Sequence, residues 1–268
     1  MKKILATTLL SLVLCTTAHA HMRWLLPSHT VLSEPAYVTF DSSVSNNLFF
    51  PERPFPVDGL MITKPDGTPG SAENLAKGKL RNSFDLNIDQ EGTWRVGLQS
   101  SFFFIRYQDK NGERGGWRGD RSGLEAALKE AREKAADDVT VMESHSRMET
   151  FVTLGQPTRK ALVVSGEGIE MQSNTHPNDL YNGETTQFTF TIDGKPQQGV
   201  EVHITRGGTR YRNDTATLTL ETDKKGRVSV PWSEPGRYLL EVSAEGKSRE
   251  KGVARRLGYL LTLEVLPQ

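Results

Sequence analysis

Phe188-Thr189-Phe190-Thr191-Ile192-Asp193-Gly194-Lys195-Pro196-Gln197-Gln198-Gly199-Val200-Glu201-Val202-His203-Ile204 decides the fold class. Apolar side chains recur at every second position on both sides of Asp193-Gly194-Lys195-Pro196, a hairpin turn. Successive side chains of a strand point to opposite faces, so this alternation marks strands with one buried and one wet face. Downstream, Leu218 and Leu220, Val228 and Val230, then Tyr238, Leu240 and Val242 repeat the pattern. Tyr259, Leu261, Leu263 and Val265 close it, and Thr222–Gly226 and Glu234-Pro235-Gly236 supply turns. About seven short strands in about 100 residues predict an immunoglobulin-like sandwich over residues 170–268.

Upstream the same period recurs less regularly. Tyr37–Phe40, Gly59–Ile62, Phe84–Ile88, Trp94–Leu98 and Ser101–Tyr107 read as strands. Asn46–Pro56 reads as an aromatic, proline-broken loop that plugs the core. The glycines between residues 108 and 122 predict a loop. Ser122-Gly123-Leu124-Glu125 reads as a capping box that opens a mostly solvated helix over about Gly123–Ala136. Val139–Met142, Glu149–Leu154 and Ala161–Val164 resume strand character. The expected architecture is all-β. It has two tandem β-sandwich domains, at residues 21–165 and 170–268, with one helical insertion in the first.

Residues 1–20 read as a cleavable secretory signal. Lys2 and Lys3 give the basic start, Ile4–Leu14 the apolar core, and Ala18-His19-Ala20 a small-x-small cleavage site. The only cysteine, Cys15, falls inside it, so the mature chain carries no disulfide and no thiolate ligand. Leu14 stands where lipoprotein signals carry a small residue, which favours cleavage over lipid anchoring. No later stretch is apolar enough to span a bilayer. Of 33 basic and 33 acidic residues, the signal removes only Lys2 and Lys3. A near-neutral chain gives no electrostatic case for nucleic acid or an anionic membrane surface. The expected location is the periplasm.

Cleavage after Ala20 makes His21 the first mature residue. A free α-amine and the near imidazole nitrogen can then chelate one metal ion from a single residue. The amine pKa lies near ~8, so a borderline metal displaces its proton at neutral pH. Imidazole suits nickel, copper, zinc and cobalt. Paired histidines at helical spacing are absent, so any larger site must be assembled from distant segments. His176, in Thr175-His176-Pro177-Asn178-Asp179, and His145, in a polar strand connection, are the candidate additional ligands. His29 ranks lower, and His203 alternates with Val202 and Ile204 on a solvent face. There is no G-x-S-x-G elbow, phosphate-cradling loop or dinucleotide fingerprint, and a binding protein rather than an enzyme is expected. A copper-dependent oxidase acting on polysaccharide, which also begins with a histidine, is the outlying alternative.

The head motif His21-x-x-Trp24-Leu25-x-Pro27 resembles the opening of an uncharacterised family of bacterial periplasmic proteins. That family is described as the periplasmic component of a cobalt or nickel transport system. Thr175–Leu180, Asp193–Pro196, and Thr222-Asp223 through Gly226 to Pro235-Gly236-Arg237-Tyr238 resemble it too. The resemblance implies a periplasmic protein that binds a divalent transition metal, cobalt or nickel, and supports its uptake; copper, which affinity alone ranks above both, is the further candidate. It points to His21 and His176 as metal ligands and to a membrane metal transporter or outer-membrane receptor as partner; His145 joins them as a candidate ligand from its place in the chain. The alternative is a metal-free interaction or adhesion module that docks a transporter, receptor or glycan.

Overall fold

The computed structural model describes residues 21–268. The signal read at residues 1–20, with Cys15, lies outside the described residues. In chain order the first half contributes β1 (Met22–Pro27), β2 (Val31–Leu32), β3 (Ala36–Ser45), β4 (Arg53–Pro54) and β5 (Leu60–Thr63). It continues with β6 (Glu73–Lys77), β7 (Asn82–Ile88), β8 (Gly92–Gln108) and β9 (Arg114–Gly119). Then come α1 (Leu124–Lys134) and β10 (Thr140–Leu154). The second half contributes β11 (Ile169–Ser173), β12 (Thr185–Ile192), β13 (Lys195–Pro196) and β14 (Glu201–Arg206). β15 (Leu218–Glu221), β16 (Arg227–Pro231), β17 (Gly236–Lys247) and β18 (Ala254–Val265) complete it.

These strands form three sheets. The first runs β1-β3-β7-β6, with β4 on β3. The second runs β15-β14-β17-β18-β10-β8-β5, with β2 on β10 and β9 on β8. The third runs β11-β12-β13, with β16 on β12. The second sheet is continuous across both halves because β10 and β18 pair in parallel, from Met142↔Ala254 to Glu149↔Leu261.

The parity of the buried residues shows how the layers stack. Leu98, Met148, Val152, Leu239 and Leu260 enter one core with Trp24, Phe40, Phe84 and Leu86 of the first sheet. Phe151, Leu240, Val242, Tyr259, Leu261 and Leu263 enter the other core with Phe188, Phe190 and Val230 of the third sheet. Neighbouring residues of one strand face opposite ways. The long sheet is therefore covered by the first sheet on one face at its β8–β10 end. The third sheet covers the opposite face at its β14–β17 end. β18 is buried on both faces, which explains the near-continuous apolar run Tyr259-Leu260-Leu261-Thr262-Leu263.

The all-β reading and its sandwich packing stand. In the second sandwich the Tyr238 hydroxyl donates to the Glu234 carbonyl at 2.7 Å, the corner contact of immunoglobulin-like domains. Trp232, fully buried, packs edge-on against Tyr238 and Phe188.

Four local expectations change. The predicted loop at 108–122 contains β9, whose glycines pair with β8 from Phe103↔Gly119 to Gln108↔Arg114. The cap lies two residues earlier than Ser122. Asp120 accepts from the Ser122 and Gly123 backbone amides and opens a short 3-10 turn, Arg121–Gly123, that runs into α1. Val139–Met142 and Glu149–Leu154 are not separate strands. β10 runs unbroken through Glu143–Arg147, because β8 pairs with it along its whole length. Ala161–Val164 is not a strand, and Lys160–Leu162 forms a 3-10 turn instead.

Candidate functional site

Trp24 and Leu25, fully buried, pin β1 into the first sheet and hold its head at the surface. His21 is exposed there. Met22 pairs with Ser45, so Asn46 lies opposite His21, and the His21 Nδ1 sits 2.7 Å from the Asn46 Oδ1. An amide oxygen accepts, so Nδ1 donates. This bond turns the near nitrogen of the ring toward one further donor, the Asn46 oxygen. Nitrogen and oxygen donors of this kind suit borderline divalent metals. With a free amine at His21, three donors from two residues belong to one small surface.

His145 is in a different environment. It lies mid-strand in β10, 5% exposed, opposite Ser101 of β8. The Gln99 amide nitrogen is 2.9 Å from its Nε2 and donates to it. Its Nδ1 is buried without a partner and faces Gly168. Burial pushes its pKa below the ordinary value, with help from the Arg255 and Arg147 charges, so the ring is neutral at pH 7.

His176 holds a corner together. Its Nδ1 accepts from the Asn178 backbone amide, and its Nε2 lies 3.1 Å from both the Thr158 carbonyl and the Thr93 hydroxyl. Thr153 links Thr93 to the Asn178 side chain at 3.0 and 2.9 Å. Both ring nitrogens are occupied, and burial again lowers the pKa. This network fastens the start of the second sandwich to the ends of β8 and β10.

The structure does not bring the three expected ligands together. Thr153 marks the His176 corner and lies eight residues along β10 from His145, roughly 26 Å of extended strand. Among the described residues no group of three or more His, Cys, Asp or Glu side chains is arranged to hold a metal. A shared His21–His176–His145 centre is therefore not formed. The reason is architectural, because β10 is one long strand where the sequence suggested a connection. His29 is exposed against Ser28, and His203 lies on the open face of β14 beside Thr219 and Glu201.

A second polar site was not evident in the sequence. On the face of β10 next to the third sheet, the Glu149 carboxylate accepts from Arg95 and from the Tyr259 hydroxyl. The Arg147 Nε is 3.5 Å away. Arg147 also donates to Glu170 at 2.8 Å. Glu170 further accepts from the Ser165 and Gly166 backbone amides, both at 2.6 Å. Burial raises the Glu170 pKa, but these bonds and Arg147 outweigh it and leave it below its ordinary value. The Tyr259 phenol is pushed well up, by burial and then by the Glu149 charge. A cleft of ≈ 90 Å³, lined by Met61, Thr63, Arg95, Gly97, Gln99 and Ser165, opens beside the cluster. The charges are balanced, two guanidiniums against two carboxylates, and they satisfy one another. The arrangement can lock the third sheet onto β10 and leaves little electrostatic pull for a ligand.

Comparison with known proteins places this chain among domains of undefined role. The sequence model of a family described as "Domain of unknown function (DUF4198)" matches residues 18–246. No curated protein matches. Among solved structures, the D0-D1 domain of intimin is similar at 14% identity over 90% of this chain and 97% of that one, with a TM-score of 0.23. The Yersinia pseudotuberculosis adhesin InvE matches at 13% identity over 89% and 58% of the two chains, TM-score 0.22. Titin domains A168-A170 match at 8% identity over 93% and 99%, TM-score 0.21. Among the described residues no helix is long and apolar enough to cross a membrane.

Proposed function

The chain belongs to the DUF4198 family, and from that premise we propose that the mature protein is a periplasmic binding protein for a divalent transition metal, held at its N-terminus. The observation that carries this reading is the exposed His21 ring at the head of β1, 2.7 Å from the Asn46 side-chain oxygen. Once the signal is cleaved, His21 offers its amine and its near imidazole nitrogen, and Asn46 offers an oxygen. The metal displaces the proton that Nδ1 otherwise shares with Asn46. His145 and His176 act as structural residues, because their ring nitrogens are buried or occupied.

Cobalt or nickel is the proposed cargo, and delivery to a membrane transporter or outer-membrane receptor the proposed role. Affinity alone ranks copper above nickel and cobalt. Selection for either must come from supply or from the partner. Calorimetric titration of correctly processed protein with cobalt, nickel, copper and zinc tests the reading. Processed protein should bind at least tenfold more tightly than a form that keeps a methionine before His21. The His21→Ala variant should lose the site. Equal affinity in the processed and extended forms would remove the terminal-amine mechanism.

A further inference from the structure

β9 is an outer strand. It pairs with β8 on one side, and among the described residues no strand pairs with its other edge. Its sequence Arg-Gly-Gly-Trp-Arg-Gly sorts cleanly by parity. Trp117 turns toward α1 and packs on Gly119 and Gly123. Arg114 and Arg118 turn the other way, onto the face that carries Phe102, Phe104 and Arg106 of β8. The first sheet covers that face only as far as Leu98 and Met148. Beyond them lies an open groove of ≈ 1190 Å³.

The groove is strongly basic for a chain with no net charge. Arg106, Arg114 and Arg118 line it against one carboxylate, Asp138. Among the described residues none of the three arginines makes an ion pair. The Arg118 guanidinium lies 3.7 Å over the Phe102 ring, and that of Arg106 lies 5.0 Å over Phe104. A guanidinium stacked on a ring keeps its in-plane N–H fork free for a carboxylate. The two half-buried rings, 6.1 Å apart, offer apolar contact between the charges.

We propose that β9 docks an extended acidic segment of a partner protein, added to the sheet as a further strand. Its backbone pairs with the free edge of β9, where no side chain lies over Gly116, while the Tyr107 ring covers Gly115 and Trp117 covers Gly119 on the opposite face from the arginines. Alternate residues of the segment face the groove. Carboxylates among them reach Arg106, Arg114 and Arg118, and apolar ones rest on Phe102 and Phe104. Strand addition of this kind draws affinity from main-chain bonds and specificity from alternate side chains. Charge selects the occupant. A second copy of β9 would set arginine against arginine, so the edge resists self-pairing and accepts an acidic strand. The surface does not include His21 and operates without metal.

Fluorescence anisotropy on processed full-length protein in EDTA tests this, so a failure of metal binding does not affect the result. The probe is a labelled twelve-residue peptide that alternates glutamate and valine. Controls are the same peptide with lysine for glutamate, and one with alternate backbone amides methylated. The acidic peptide should bind. Affinity should fall at least tenfold in Arg118→Glu and measurably in Arg114→Ala, whose exposed side chain makes no contact that folding needs. The methylated peptide should bind at least tenfold more weakly, and the amides of β9 should gain exchange protection with the unmethylated one. Unchanged affinity in both variants would overturn the site. Equal affinity for the methylated peptide would overturn strand addition. Tighter binding of oligogalacturonate or of anionic phosphatidylglycerol vesicles than of the peptide would overturn the choice of occupant.

Discussion

The Tyr259 hydroxyl donates to the Glu149 Oε2 at 3.1 Å, joining β18 to β10 inside the long sheet. Glu149 is 3% exposed and Tyr259 is 1% exposed. This bond sits where the third sheet begins to cover the long one, with Arg95 and Arg147 on the other side of the carboxylate. Removing Glu149 leaves two guanidiniums without their shared partner. Glu149→Ala should cost about 3–5 kcal/mol, the range for breaking a buried pair by deleting one member. Tyr259→Phe removes one donor and leaves both arginines, so it should cost about 1 kcal/mol. Urea denaturation measures both. A Glu149→Ala cost no larger than that of Tyr259→Phe would show that the cluster does not hold the layers together.

Stability should fall on mild acidification. His145 and His176 both have pKa values depressed below the ordinary 6.5, with burial the main cause. Just below pH 6.5 the unfolded chain binds more protons at these sites than the folded one, so stability rises with pH there. The contribution is fully present above 6.5 and is lost as pH falls from 6.5 toward the folded values. Each histidine adds at most about 1.4 kcal/mol per pH unit in that window. Urea midpoints at pH 7.5 and 5.5 should differ, and His176→Asn combined with His145→Gln should flatten the profile. A drop that persists in the double variant would place its origin elsewhere.

The second sandwich should respond to loss of one hydroxyl. Tyr238 donates to the Glu234 carbonyl at 2.7 Å, and its ring stands 5.1 Å from Trp232. Tyr238→Phe keeps the ring and leaves a half-buried carbonyl without its donor. The expected cost is about 0.5–1.5 kcal/mol, read as a lower thermal midpoint. A midpoint unchanged in Tyr238→Phe would mean that water replaces the corner bond.

The second half of the chain was the more legible part. Phe188, Phe190 and Ile192 alternate because only one face of β12 is buried. The parallel join of β10 to β18 left no local mark, because Met142 and Ala254 are far apart in sequence. Glu149 and Arg147 alternate with Met148 like solvent-facing residues. They are buried only because the third sheet and the Ser165–Gly166 turn close over them. From sequence β9 reads as a loop, because its alternation is carried by arginine, glycine and a single tryptophan. His21 could be singled out by its place after the cleavage site. The burial of His145 and the corner built by His176 depend on contacts with Gln99, Gly168 and Thr93 that no sequence spacing encodes.

Gly168 and His145 should be energetically coupled. Gly168 has φ of +67°, and a β-carbon there would lie 2.4 Å from the Nδ1 and Cε1 of His145. Gly168→Ala therefore carries two penalties. The left-handed backbone costs a non-glycine residue about 1–2 kcal/mol, and the ring must move out of a packed site between Gln99 and the Gly168 loop. His145→Ser shrinks the side chain and removes the collision, but it leaves the backbone strain in place. In the His145→Ser background, Gly168→Ala should cost only the left-handed term. The two substitutions should then couple by at least about 1 kcal/mol, well above the non-additivity of independent sites. Urea denaturation of the wild type, both single variants and the double variant closes the cycle. Strict additivity would mean that the loop at residue 168 lifts away at little cost and that His145 is not held in place by it.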